Sequence, residues 1–418
     1  MTEPSAPRGR SRTALVLPFL AAFAVRLTAG IALSEGGRGS RGFDFYGFMA
    51  DNLLSGRGLC WWFYEGLGLK FANRGPLYPL FVAAARAAGG GARAVEITAQ
   101  AAIGAAAICI PALLARRWSG TRAVLPALWI AALWPYSVLS DTGLIEHVLY
   151  APLCCLTAWA ILDAQSGARR PERTALAAGA IAGLATLARL TFAASLPFLG
   201  VAAVRRLGVA RTALVVVGVA VVLAPWVVRN RLTVGHWVLG TDGGRALLVG
   251  NSPVTFEKYP DESIDEGERE IFRRMPPALA AELRGLAGDE VAQDARFSEI
   301  ARATILADPV ASAWRMLRKA ATLWSPVYSP APVSSRTSNA LRYLVYAATF
   351  VPLLAAAAAA VAVCARMRSD LPLLLALILS FTVVAAVFWG QPRYLAPLHG
   401  IGIAAAAAWL SRRPESAA

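Results

Sequence analysis

The chain has 418 residues, 57% hydrophobic and 16% charged, with a net charge of +15. A soluble domain of this size carries about 25% charged residues, so an ordinary soluble fold is excluded. The three histidines and five cysteines show no metal or disulfide spacing, which argues against a His/Cys metal cage.

The first apolar run, 13–34, approaches the roughly 20 residues that span a bilayer. It is long, and only the weak "LTAGIA" resembles a cleavage site, so it reads as a membrane helix and not as a removed signal. The loop after it, 35–91, holds "GFDFYGFMADNLLSGRG" (42–58) and "NRGPLYPLF" (73–81). Runs 97–115, 122–139 and 146–162 are the next predicted spans. Residues 174–204 carry one charge, Arg189, and read as two short crossings or a re-entrant pair. A span over 212–228 precedes a polar segment, 232–340. Runs 343–364, 371–389 and 394–411 close the chain.

The expected fold is an all-α polytopic membrane protein of about ten crossings with a small non-cytoplasmic helical segment. Its parts are a transmembrane core over 1–231 that includes the first outer loop, the outer segment 232–340, and C-terminal membrane helices over 341–418. Arginines punctuate the spans: "RGRSR" at 8–12, "RRWSGTR" at 116–122, "ARRPER" at 168–173, "RRLGVAR" at 205–211, "RMR" at 366–368, and Arg412 with Arg413. Short positive loops mark the cytoplasmic side. All these clusters share that side if 174–204 crosses an even number of times, which puts both termini in the cytoplasm. The basic charge is then a topology signal and not the mark of a nucleic-acid partner.

Within 232–340, "DPVASAWRMLRKAATLW" (308–324) predicts a helix capped by Asp308, with Pro309 in its first turn. Val310, Trp314, Leu317, Ala321 and Trp324 fall on one stripe. The stripe suits either a helix at the membrane interface or the packing face of a small soluble cap. "SPVYSPAPVSS" (325–335) then leads back to the membrane in extended form.

The scarce acids act as a filter. Of 26, 14 lie in 232–340, Asp242 among them, and most alternate with bases as a solvated face does. Glu3, Asp163, Glu172, Asp370 and Glu415 are cytoplasmic. Glu35, Asp44, Asp51, Glu65, Glu96, Asp141 and Glu146 remain, all at outer helix ends or in the first loop. Asp44 stands among Phe43, Phe45 and Tyr46, where partial desolvation raises a carboxylate toward the range of a general base; a helix cap is the other reading. Asp51, seven residues on, shares its face if 44–54 is helical.

Arg74, Arg189, Arg229 and Arg393 stand at helix ends on the same outer side. They serve there either as snorkelling anchors or, if they converge, as a phosphate site, because the guanidinium fork matches phosphate oxygens. Tyr46, Asp51, Asn230 beside Arg229, and Asn251 in "GNSP" are candidate substrate contacts.

In order along the chain, "DFYGFMADNLLSGRG", "NRGPLYPLF", "LIEHVLYAPL", "GLATLARLTF", "PWVVRNRLTVG", "LLVGNSP" and "RYLAPL" resemble bacterial GT-C-type glycosyltransferases. The group includes protein O-mannosyltransferases of glycosyltransferase family 39 and the lipid A aminoarabinose transferase. The resemblance implies a hexosyl- or pentosyltransferase in the bacterial inner membrane. Such an enzyme takes a sugar from a polyprenyl-phosphate carrier to an acceptor hydroxyl of a lipid, glycan or protein on the outer face. It maps the general base or its partner onto Asp44, a second acid onto Glu146, and phosphate contacts onto Arg74, Arg393 and Tyr394. No cofactor is implied, and a divalent metal is left open. The chain departs from the group in three ways. Phe45 follows Asp44 where mannosyltransferases carry an Asp-Glu pair, the β-trefoil insert is missing, and Gly75 replaces the lysine of the aminoarabinose enzymes. The competing class is a lipid or glycolipid transporter, against which stand the lack of a visible repeat and the gathering of polar residues at one face.

Overall fold

The computed structural model describes residues 12–35, 44–63, 66–143, 145–165, 170–257, 259, 264–325 and 336–412. In lipid an apolar chain must satisfy its own backbone, and helix does this within one segment. The chain is accordingly helical almost throughout. It begins with α1 (Arg12–Glu35), α2 (Asp44–Leu54), a small hairpin of β1 (Trp61–Trp62) and β2 (Leu69–Lys70), and α3 (Leu77–Gly89). Next come α4 (Arg93–Ala107), α5 (Cys109–Ser119), α6 (Val124–Leu133), α7 (Pro135–Thr142), α8 (His147–Gln165), α9 (Pro171–Ala188), α10 (Leu196–Leu207) and α11 (Val209–Val234). The polar segment forms α12 (Gly243–Asn251), α13 (Pro253–Phe256), α14 (Ile264–Arg274), α15 (Pro277–Gly285), α16 (Glu290–Ala307) and α17 (Pro309–Leu323). It is followed by α18 (Arg336–Val363), α19 (Ala365–Val387) and α20 (Ala396–Leu410).

Among the described residues seven stretches are long and apolar enough to cross a membrane: Thr13–Ala32, Arg93–Leu133, His147–Ala164, Leu190–Leu207, Val209–Val234, Tyr346–Val363 and Ala365–Val387. This falls short of the ten or so crossings expected from composition, for three reasons. Runs 97–115 and 122–139 join into one 41-residue stretch, although Gly120, at φ 73°, turns the chain between α5 and α6. With 15 residues, α20 reaches about 22 Å, less than the hydrocarbon core. Small, weakly apolar residues build α9, whose buried face is Ala175, Ala178, Gly179, Ala182, Gly183, Ala185 and Ala188. That face lets α11 approach until a Cβ on Gly179 would stand 2.0 Å from the Val215 carbonyl oxygen. Of the interval 174–204, only the part from Leu190 on has the composition of a span. A 3-10 turn, Leu190–Ser195, follows Arg189 and joins α9 to α10.

The first loop and the polar segment share one core. Met49, Leu59, Trp61, Phe63 and Leu67 pack with Leu248, Leu283 and Phe297. Glu290 accepts from the Phe71 and Ala72 amides at 3.2 and 3.0 Å and from Thr241 Oγ1 at 2.9 Å. Lys70 Nζ donates to Gln293 Oε1 at 2.5 Å. Several acids of this segment do pair with surface arginines, as Glu257 and Glu270 do with Arg274. Glu268 and Glu290 are instead buried, which the alternation of charges did not reveal.

Asp308 caps α17, accepting from the Ala311 amide at 2.9 Å. The helix is turned inside out relative to a soluble one. Val310, Trp314 and Leu317 are 82%, 67% and 64% exposed, while Arg315 and Lys319 are buried. Trp324, the last of the expected stripe, turns inward and donates to Thr382 Oγ1 at 3.0 Å. Residues 326–335, expected to be extended, lie outside the described residues. All five cysteines are free, and Cys60 is buried.

Candidate active site

A cavity of about 470 Å³ opens where the membrane helices meet the first loop and the polar segment. Its wall comes from α2 (Phe45, Tyr46), the first loop (Asn73, Arg74), the start of α8 (Glu146, His147, Tyr150), Arg189 at the end of α9, and Asp242 with Arg245 at the start of α12. The end of α19 and the short turn Pro392–Leu395 add Phe388, Trp389, Arg393 and Tyr394. The described lining has four arginines against two carboxylates, so the cavity is cationic and suited to an anion.

Local structure explains how these cations come together. Arg189 interrupts α9 in extended conformation (φ −146°, ψ 107°). From there it donates to Glu146 Oε1 at 2.7 Å and lies over the Tyr394 ring at 4.5 Å. Tyr46 donates its hydroxyl to Glu146 Oε2 at 2.8 Å, so both oxygens of that acid are engaged. Burial by itself raises the Glu146 pKa, but Arg189 overrides it and holds the carboxyl down at about 2. Arg74 pairs with Asp242 and stacks on Phe45 at 5.0 Å. Arg245 donates to Asp242 at 2.7 Å and to Glu268 at 2.6 Å. Asp242 is partly exposed; its desolvation raises its pKa, yet Arg245 and Arg74 hold it at about 2. Gly75 lets the Arg74 loop press against the end of α9: a Cβ there would stand 2.3 Å from the Leu187 carbonyl oxygen. The lysine that stands here in the aminoarabinose enzymes would not fit without movement. Phe45, Tyr46, Tyr150, Trp389 and Tyr394 give the wall an aromatic surface.

The expected site residues divide into three groups. Tyr46, Arg74, Glu146, Arg189, Arg393 and Tyr394 line the cavity together. Asp44 is the first residue of α2, next to Phe45 and Tyr46, and its side chain lies outside the described part. The expected helix over 44–54 is present, but Asp51 is 64% exposed and pairs with Arg86 at 2.6 Å. Arg229 donates to the Phe71 and Leu59 carbonyls at 2.7 and 2.9 Å, which fastens the first loop. Asn230 holds the Val238 carbonyl at 3.0 Å. Asn251 joins the Val387 carbonyl at 2.9 Å to Lys319 at 3.1 Å. The last four do not line the cavity.

Asp242, Arg245 and Asn73 line the site without having been singled out. Asp242 was grouped with the solvated acids of its segment, and only its position just before a helix, three residues ahead of Arg245, hinted otherwise. Among the described residues no three His, Cys, Asp or Glu side chains cluster as metal ligands.

No family model and no curated protein matches the chain. Solved structures do. The archaeal oligosaccharyltransferase AglB from Archaeoglobus fulgidus, in complex with an inhibitory peptide and a dolichol-phosphate, matches over 96% of this chain and 50% of its own. The identity is 14% and the TM-score 0.55. The same enzyme in complex with Zn and sulfate matches over 95% and 48%, at 15% identity and TM-score 0.53. ArnT from Cupriavidus metallidurans bound to undecaprenyl phosphate covers 96% and 78% at 17% identity, but its TM-score of 0.42 is too low to carry weight. At these identities the likeness shows the fold alone: the chain shares the polytopic helical fold of the matched half of AglB. It spans about half the length of AglB.

Proposed function

We propose that the chain is an integral-membrane glycosyltransferase that moves a sugar from a polyprenyl-phosphate carrier to an acceptor hydroxyl. The observation that supports this most is the ring of Arg74, Arg189, Arg245 and Arg393 around an aromatic-walled cavity at the end of apolar helices. A lipid phosphate needs such a place: cations for its head and a membrane edge for its chain. The fold shared with AglB, a structure of which holds a dolichol-phosphate, agrees with this reading.

In the proposed reaction the acceptor oxygen attacks the anomeric carbon while Asp44 takes the hydroxyl proton. The bond from that carbon to the phosphate oxygen breaks, its electron pair leaves with the phosphate, and the configuration inverts. Arg74, Arg189 and Arg393 meet the charge that grows on the leaving phosphate, in a site where water is scarce and the gain correspondingly large. Glu146, with both oxygens engaged, serves to aim Arg189 and not as a base. The enzyme would sit in the bacterial inner membrane with its cavity on the outer face, and the sugar would be a hexose or pentose.

The test is to offer the purified enzyme either a labelled nucleotide sugar or the matching polyprenyl-phosphate sugar, with no other enzyme present. Transfer from the lipid donor alone is expected. Transfer from the nucleotide sugar alone would overturn the assignment.

A further inference from the structure

The inverted polarity of α17 defines what covers it. A helix on a protein's watery surface hides apolar side chains and shows charged ones. Here every charged residue of α17 turns toward the protein. Arg315 donates to Ser312 Oγ at 2.7 Å, Arg318 stacks near Tyr259 at 5.8 Å, and Lys319 is fully enclosed. Lys319 Nζ donates to the carbonyls of Gly250, Val387 and Phe388 at 2.8, 2.9 and 3.3 Å. The exposed face carries Val310, Ala313, Trp314, Leu317 and Ala321, with no charge among them. Leu306, at the end of α16, extends the same surface at 74% exposure.

This surface is continuous with membrane. Lys319 meets the end of α19 at Val387, and Trp324 meets it at Thr382. The C-terminal end of α17 therefore runs alongside α19, a membrane span, to about 7 Å below its tip. On α19 itself Leu375, Leu379 and Val383 are exposed as lipid-facing residues are.

We propose that α17 is seated in the lipid leaflet on the cavity's side, with its Val310–Trp314–Leu317 face in the boundary between headgroups and acyl chains. The Lys319 joint then ties that leaflet to the Phe388–Tyr394 turn, so the height of α17 in the lipid sets the height of the cavity rim. The inference goes beyond the donor assignment and stands without it.

Single cysteines at Val310, Leu317 and, as a control on the opposite kind of surface, Glu299 would be introduced in the full chain with Cys109 and Cys364 changed to alanine. Each would carry an NBD label in phosphatidylcholine vesicles with iodide on both sides or with doxyl-labelled lipid. Labels at Val310→Cys and Leu317→Cys should be quenched several-fold more by doxyl lipid than by iodide, and Glu299→Cys the reverse. Trp314→Cys provides a second reading of the same face if either variant folds poorly. Iodide quenching equal to that at position 299 would overturn the proposal. So would shelter from both quenchers, which would mean that a protein partner or second copy covers the face.

Discussion

Replacing Arg189 with methionine tests the centre of the site. Glu146 sits at about 2 against an ordinary 4.5, a difference that corresponds to about 3 kcal/mol in favour of its ionised form. Because the folded pKa is depressed, that stability is present above about 4.5 and is lost as pH falls toward 2. In Arg189→Met the largest lowering influence is gone and burial again pushes the carboxyl up. The sign then reverses: the variant gains relative stability below 4.5 and pays a growing penalty as pH rises through the new folded pKa. The gap between the two proteins should widen by about 3 kcal/mol between pH 2 and 6, roughly 3 °C in apparent Tm for a chain of this length. Intrinsic tryptophan fluorescence during heating in detergent reads it directly, at a fixed scan rate. Donor turnover should fall about 10- to 100-fold, the worth of one charged hydrogen bond to phosphate. A Tm gap equal at pH 2 and pH 6 would refute the ionised Glu146–Arg189 pair.

Asp44→Asn should lower transfer by about 10²–10⁴-fold, with expression intact, since it keeps shape but removes a base; steady-state turnover of the purified variant is the check. Arg74→Lys and Arg393→Lys keep charge but lose the planar fork, so each should weaken binding of the polyprenyl-phosphate donor in a direct binding titration. Lys319 is pulled by burial to about 7 from its ordinary 10.5, so the unfolded chain holds more protons between those values and stability should rise with pH across that window. Lys319→Met should abolish that rise in a melting series from pH 7 to 10.

Much of the fold was legible because a bilayer imposes one-dimensional rules: apolar length marks a span, and arginine clusters mark its ends. The runs that became α1, α8, α11, α18 and α19 were recognised on that basis; the Asp308 cap was legible from its place ahead of Pro309. Arg74 and Arg393 were also visible, as polar residues standing at helix ends beside prolines, while Tyr394 came only from the family resemblance. What composition alone missed were contacts made in three dimensions. Nothing local separates Arg189, whose partner Glu146 is 43 residues away, from Arg229, which binds backbone carbonyls of the first loop. Asp242 looks like its solvated neighbours until the fold brings Arg74, 168 residues distant, against it. The small residues of α9, read as one of two short crossings, leave it short of a span's hydropathy, yet they are what lets α11 pack so close. The stripe on α17 was plain from its spacing, but spacing is the same whether a stripe faces a core or a lipid. Only packing, which turned its arginines and Lys319 inward, decided the direction.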